Sequence, residues 1–209
     1  MSSFHGEILS TAQARVLQRL GSTLGAKRFY LGGGTAIALH LAHRESHDFD
    51  WFTESELADP LSLASELRAS GCALEALETS RGTLHGHAEQ VKMSFIEYRY
   101  PLLAPLDPWP EMGCLVASLD DLACMKLAAI AQRGYKRDFI DLHALGLKHC
   151  PLEVMLEHYE RKYRADPNAL LYALSYFGDA DPQPSPKLLW KVDWEEIKNT
   201  VRGWVKQVS

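Results

Sequence analysis

A chain of 209 residues that is 46% hydrophobic and 23% charged carries enough apolar mass to bury a sizeable core, which excludes a disordered polypeptide. Its formal net charge of -5 excludes a wholesale electrostatic binder of nucleic acid, so any RNA contact must be local. No run approaches the ~18 to 20 consecutive apolar residues of a membrane span, and the polar start Met1, Ser2, Ser3, Phe4, His5, Gly6, Glu7 lacks an apolar signal segment, so a cytoplasmic protein is expected. Cys72, Cys114, Cys124 and Cys150 are dispersed without a C-x-x-C pair, which argues against a zinc ribbon or a disulfide framework.

In chain order, residues 10–20 place Val16, Leu17 and Leu20 at helical spacing behind a capping box of Ser10 and Gln13, predicting a helix that stops by Gly21 or Gly25. The β-prone run 29–31 ends at three glycines and is followed by the helix formers 36–42, a strand, tight turn and helix. Residues 48–52 alternate aromatics with carboxylates at period two, a second strand. Asp59 and Pro60 suit the N-cap and first position of another helix, closed by Gly71. Strand-like pieces follow at 74–79, 82–85 and 91–98, and the Pro-rich stretch 101–110 reads as a linker closing the sheet-bearing part. From Ser118, an N-cap, the pattern turns helical: 118–133 ending at Gly134, 138–147, 152–163 and 168–177. A final amphipathic helix carries Trp190, Trp194, Ile197, Val201 and Trp204 at three- and four-residue spacing, which describes a packed face. Lys126, Arg133, Lys136 and Arg137 form the best local basic patch, with Lys187, Lys191, Lys198, Arg202 and Lys206 scattered beyond it.

The constellation that carries chemistry is Gly32-Gly33-Gly34-Thr35, twelve residues, then Asp48-Phe49-Asp50. Glycines at the start of a helix let backbone N–H groups approach a phosphate, and the helix N-terminus adds partial positive charge. Asp48 and Asp50, two apart on a strand, project from one side and can bind the same divalent cation. An ammonium such as that of Lys126 is an effective point charge for phosphate. Asp138 and Asp141 admit two interpretations, a helix N-cap device or site members.

The run 31–52, LGGGTAIALHLAHRESHDFDWF, resembles the signature of the AbiEii/AbiGii toxin family of nucleotidyltransferases. The runs 125–133 (MKLAAIAQR) with 136–142 (KRDFIDL) resemble its second signature, and 176–182 (YFGDADP) is similar to the family as well. The resemblance implies an α/β nucleotidyltransferase-like core with a small mixed β-sheet flanked by helices, followed by a helical C-terminal region that closes over the site, divided at about 1–115 and 116–209. It implies that Gly33, Gly34 and Thr35 hold NTP phosphates, with Arg44 and Ser46 in the same stretch. Asp48 and Asp50 would hold catalytic Mg2+ or Mn2+, Lys126 would meet the triphosphate, and Asp138 and Asp141 would belong to the active stretch. The implied reaction moves a nucleoside monophosphate from an NTP onto RNA, a tRNA 3' end included, or a protein hydroxyl. In family terms the chain would be the toxin of a type IV toxin–antitoxin or phage-defence pair, its antitoxin acting at the gene level. One departure concerns the third carboxylate that many proteins of this fold place on a neighbouring strand: the run 91–97 offers only Glu97, near its end.

Other readings remain open. A nucleotide-binding module without turnover shares the same residues. A metal-dependent phosphohydrolase would use His47 and Asp48 with His40 and His43 on one helix face, although Asp48 opens a strand where that chemistry needs a helix. His85 and His87 flank Gly86 in a turn, where exposed histidines are incidental. A pure interaction protein would bind neither nucleotide nor metal.

Overall fold

The computed structural model describes residues 4–208; the first three residues of the polar start, and Ser209, lie outside them. Its first long helix, α1 (Thr11–Ala26), opens on the reciprocal capping box: the Gln13 N–H donates to Ser10 Oγ at 3.2 Å and the Ser10 N–H to Gln13 Oε1 at 3.0 Å. α1 runs past Gly21, which is a packing residue and not a stop, because a Cβ there would collide with the Met112 carbonyl. There follow β1 (Tyr30–Gly32), α2 (Gly33–Leu41), β2 (Phe49–Thr53) and α3 (Pro60–Ala69). Asp59 caps α3, its carboxylate accepting from the Leu61 and Ser62 N–H groups at 3.0 Å each.

The remaining strands are β3 (Glu75–Ser80), β4 (Thr83–Ala88), β5 (Val91–Glu97), β6 (Asp107–Trp109) and β7 (Cys114–Val116). All seven form one mixed sheet in the order β3-β4-β5-β2-β1-β7-β6. β2 lies near its centre, parallel to β5 and antiparallel to β1. The stretch expected to be a linker at 101–110 therefore ends in a strand: β6 pairs antiparallel with β7, which in turn runs parallel to β1. Pro108 is tolerated there because β6 is the outermost strand, where one face of the ladder needs no N–H donor.

Five helices complete the chain: α4 (Leu119–Gln132), α5 (Lys136–Lys148), α6 (Leu152–Tyr163), α7 (Asn168–Ser175) and α8 (Trp194–Val208). Ser118 caps α4 as its sequence indicates. α5 starts two residues earlier than expected, with Tyr135 at its N-cap, so Asp138 is inside the first turn and is not a capping residue. The largest buried side chains, among them Trp51, Tyr30, Phe49, Phe95 and Phe139, join sheet and helices in one hydrophobic cluster that reaches Val205 on α8. The final helix starts at Trp194, four residues later than its expected first tryptophan, so Trp190 belongs to the preceding segment, and the tryptophans of α8 pack inward. Trp194 meets Phe139 and Phe177, and the Trp204 ring fills the space left by Gly146. Among the described residues no helix is long and apolar enough to cross a membrane.

The segment between α7 and α8 reaches back to the loop after α2. Arg44 and Leu188 form an isolated antiparallel bridge, the Glu45 N–H donates to the Lys187 carbonyl at 2.9 Å, and the Leu189 N–H donates to the His43 carbonyl at 2.9 Å. Lys187 Nζ adds a surface ion pair with Glu45 at 2.6 Å.

Candidate active site

A cavity of about 620 Å³, within the range of small-molecule sites, opens over one face of the central strands. Gly33, Gly34, Arg44, Ser46, Asp48 and Asp50 line one side, and Lys126, Arg133 and Arg137 line another. The glycines are demanded by side chains as much as by the turn. Gly33 has φ +65, and a Cβ there would run into the Asp50 carboxylate. At Gly34 the same atom would occupy the place of the Arg44 guanidinium, and at Gly32 it would lie 2.6 Å from the Phe52 ring. A Gly33→Ala variant therefore meets both a left-handed backbone and the Asp50 side chain. It is expected to fold with stability lowered by about 1–3 kcal/mol and to displace Asp50, which a thermal melt and a nucleotide-binding titration would register together.

Asp50 sits on β2 in register with Gly32 of β1 and Ser94 of β5. Its carboxyl is pushed above the usual carboxylate range by burial; Lys126, a hydrogen bond from Ser94 and Arg137 oppose this, and Asp48 adds to it. Ser94 is in register with His85 of β4, whose Nδ1 lies 3.1 Å from Ser94 Oγ. The row Asp50, Ser94, His85 thus crosses three strands on the cavity side. Two residues further along β2 and β5, on the same face, Phe52 and Ile96 replace charge with apolar surface, joined by Tyr98. Over that distance, about 6.5 Å of strand, the lining changes from carboxylate to aromatic.

The helical side is held by a charged network. Arg44 binds Asp141 through two nitrogens, Nε to Oδ1 at 2.6 Å and Nη2 to Oδ2 at 2.9 Å, and His43 Nε2 lies 2.7 Å from the same carboxylate. Lys126 Nζ bridges Asp141 at 2.7 Å and Asp138 at 2.9 Å, and Arg133 Nε reaches Asp138 at 3.0 Å. Burial alone would raise both aspartates. The charges of Arg44 and Lys126, with hydrogen bonds from His43 and Arg44, instead hold Asp141 well below its ordinary value. Lys126 and Arg133 lower Asp138 as well. Three cations against two carboxylates leave an excess of positive charge at the cavity wall. Lys126 spends two of its three donors on the aspartates, which leaves the third for an anion in the cavity.

The structure therefore brings Gly33, Gly34, Arg44, Ser46, Asp48, Asp50 and Lys126 to one cavity, and places three other expected residues behind it. Thr35 is buried, its hydroxyl donating to the Asp48 carbonyl and sharing a 2.8 Å hydrogen bond with Ser46, so it fixes the loop. Asp138 and Asp141 are fully buried and hold the cations. Glu97 lies away from the cavity, at the far end of β5 opposite Thr53; its carboxylate accepts from the Leu57 N–H at 2.8 Å and pairs with Arg99. Ser94 stands beside Asp50 instead. His85 is not in a turn: it is the third residue of β4, and the turn falls at Glu89 and Gln90, both with positive φ. Lys136, expected in the basic patch, is buried with its Nζ donating to the Asp181 and Gln183 carbonyls. The sequence signal for Ser94 and Lys92 was the alternation of β5, which sets them opposite the buried Val91, Met93 and Phe95.

Residues 15–203 match the family described as nucleotidyl transferase AbiEii toxin, type IV TA system. An uncharacterized protein of Aquifex aeolicus (strain VF5) is 36% identical over 202 residues, covering 95% of this chain and 97% of its own. Among solved structures the fold is similar to JHP933 from Helicobacter pylori, with TM-score 0.56 and 16% identity over 96% of this chain and 93% of that one. It is also similar to MenT4, a nucleotidyltransferase toxin from Mycobacterium tuberculosis H37Rv, with TM-score 0.55 and 16% identity over 94% and 85%. With a sequence match across nearly its whole length and a nucleotidyltransferase fold, the chain belongs to the AbiEii family of nucleotidyltransferase toxins.

Proposed function

We propose that this protein transfers a nucleoside monophosphate from an NTP to the 3'-hydroxyl of an RNA, a tRNA end being the favoured acceptor, as the toxin of a type IV pair whose antitoxin acts at the gene level. The observation that carries this reading is one cavity in which Asp48 and Asp50, with Arg44 beside them, face Lys126 and Arg133 next to a glycine-led helix N-terminus. The cations and the α2 N-terminus would seat the triphosphate, and Phe52 with Tyr98 would receive the base. Two neighbouring carboxylates, one of them resisting ionisation through burial, are a donor set suited to a hard divalent cation. Asp48 and Asp50 would hold Mg2+ or Mn2+, which when bound supplies positive charge to the phosphates and to departing pyrophosphate.

In the reaction the acceptor oxygen bonds to the α-phosphorus, the bond from that phosphorus to the bridging oxygen of the β-phosphate breaks, and pyrophosphate leaves. The hydroxyl proton needs a base. His85, which lines the cavity beside Ser94, would offer its Nε2 lone pair in the tautomer whose Nδ1–H donates to Ser94. The carboxylates lining the cavity are Glu45, Asp48 and Asp50, none of them on β5. That favours, as the second reading, a module that binds NTP without turnover.

Incubation of the purified protein with each α-labelled NTP, Mg2+ and tRNA decides between them. Label is expected in the RNA with one NTP preferred. Thermal stabilisation by NTP without label transfer to RNA or protein would establish the second reading, and neither effect would refute both.

A further inference from the structure

Away from the cavity, three side chains with metal-binding chemistry, Asp120, His149 and Cys150, meet where helices converge, and His158 lies beside Asp120. Asp120 lies in the first turn of α4, His149 caps the C-terminus of α5, Cys150 follows it, and His158 lies on α6. One ligand atom from each of Asp120, His149 and Cys150 lies within 4.8 Å of the others. Asp120 Oδ1 is 2.7 Å from His149 Nε2 and 3.4 Å from His158 Nδ1. His158 Nδ1 is buried and has no hydrogen-bond partner, an unfavourable state for an imidazole nitrogen unless something accepts its lone pair.

We propose that Asp120, His149 and Cys150 form a structural zinc site, which His158 completes by turning its buried, unpartnered Nδ1 toward the ion. An imidazole, a thiolate and a carboxylate, joined by the His158 imidazole, are a donor set suited to tetrahedral Zn2+, and four protein ligands would leave no open position, as in structural and not catalytic zinc centres. The spacing differs from a zinc ribbon because the ligands come from three helices and not from paired C-x-x-C loops. Burial, reinforced by Asp120, otherwise pushes the Cys150 thiol up to about 11, so zinc uptake releases its proton. Bound zinc would tie α4, which carries Lys126 and ends at its C-cap Arg133, to α5, which carries Asp138 and Asp141, and both to α6. The site thereby stiffens the wall that holds the cations.

The test uses full-length protein stripped with chelator and titrated with Co2+ and with Zn2+ against a chromophoric competitor. Wild type is expected to take up one tight equivalent and, with cobalt, to show the intense visible bands of tetrahedral coordination and a sulfur-to-cobalt charge-transfer band. Cys150→Ser should lose the charge-transfer band, and His158→Ala should weaken zinc binding at least tenfold. Asp48→Asn should retain both, which separates this site from the cavity carboxylates. Wild-type protein without the charge-transfer band, or zinc uptake unchanged in Cys150→Ser and His158→Ala, would overturn the proposal.

Discussion

Asp50→Asn is expected to reduce label transfer from NTP to RNA by roughly three orders of magnitude, about 4 kcal/mol of transition-state stabilisation, while leaving the protein folded. The carboxylate would be lost as a cation ligand and as the partner of Ser94, and the amide is nearly the same size. Its effect on stability runs the other way. Because burial and the neighbouring Asp48 both disfavour the ionised form, the neutral amide should leave the melting temperature unchanged or raise it, the trade expected where a site is built against stability. Activity of the variant within tenfold of wild type, measured beside a thermal melt, would remove Asp50 from the site. A fall in activity matched by a collapse in melting temperature would show a structural role instead.

Asp141→Asn should be the most destabilising single change at the cation wall. Asp141 is fully buried and receives Arg44, Lys126 and His43, so its neutralisation leaves Arg44 without a carboxylate and Lys126 with Asp138 alone. Breaking one side of such a network costs about 3–5 kcal/mol, which for a chain of this size is a drop of roughly 10 °C in melting temperature. The pH dependence has a definite sign. Asp141 is held below its ordinary value near 3.8, so its contribution is complete above that value and is lost as pH falls through the lower folded one. His43 is lowered by burial from about 6.5, so the unfolded chain takes up a proton before the folded one does, and stability already declines as pH drops below that value. Wild type should therefore lose stability in two stages, beginning near pH 6.5 and again below about pH 4, and in Asp141→Asn the second stage should shrink to what Asp138 and the other lowered carboxylates still contribute. Chemical denaturation at a series of pH values measures both.

Much of the fold was legible because its elements announce themselves locally. The capping box of Ser10 and Gln13, Asp59 before Pro60, and Ser118 before an apolar helix each mark a start, and the structure uses all three. The strand pair β6 and β7 was hidden because Pro108 and the short, proline-flanked run look like a linker until β1 supplies a partner. The β4–β5 turn was hidden too: Glu89 and Gln90 adopt positive φ without glycine or asparagine, which left His85 assigned to a turn when it lies within a strand. Of the site, the glycines and the Asp-x-Asp pair could be read from their spacing, whereas the roles of Asp138 and Asp141 could not. A carboxylate at i and i+3 in a helix looks the same whether it caps the helix or anchors cations from α4 and from the loop after α2, and only the packing of α5 against both distinguishes the two.

The pairing of residues 187–189 with residues 43–45 carries a consequence for biosynthesis. Arg44 and Glu45, which border the cavity, are braced by chain that the ribosome delivers some 140 residues later, a separation given by the Lys187 to Glu45 contact. A nascent chain can build the sheet and its aspartates early, but it cannot brace that border until residues 187–189 have been made. Premature termination before residue 187 would therefore yield a product whose cavity border lacks that support.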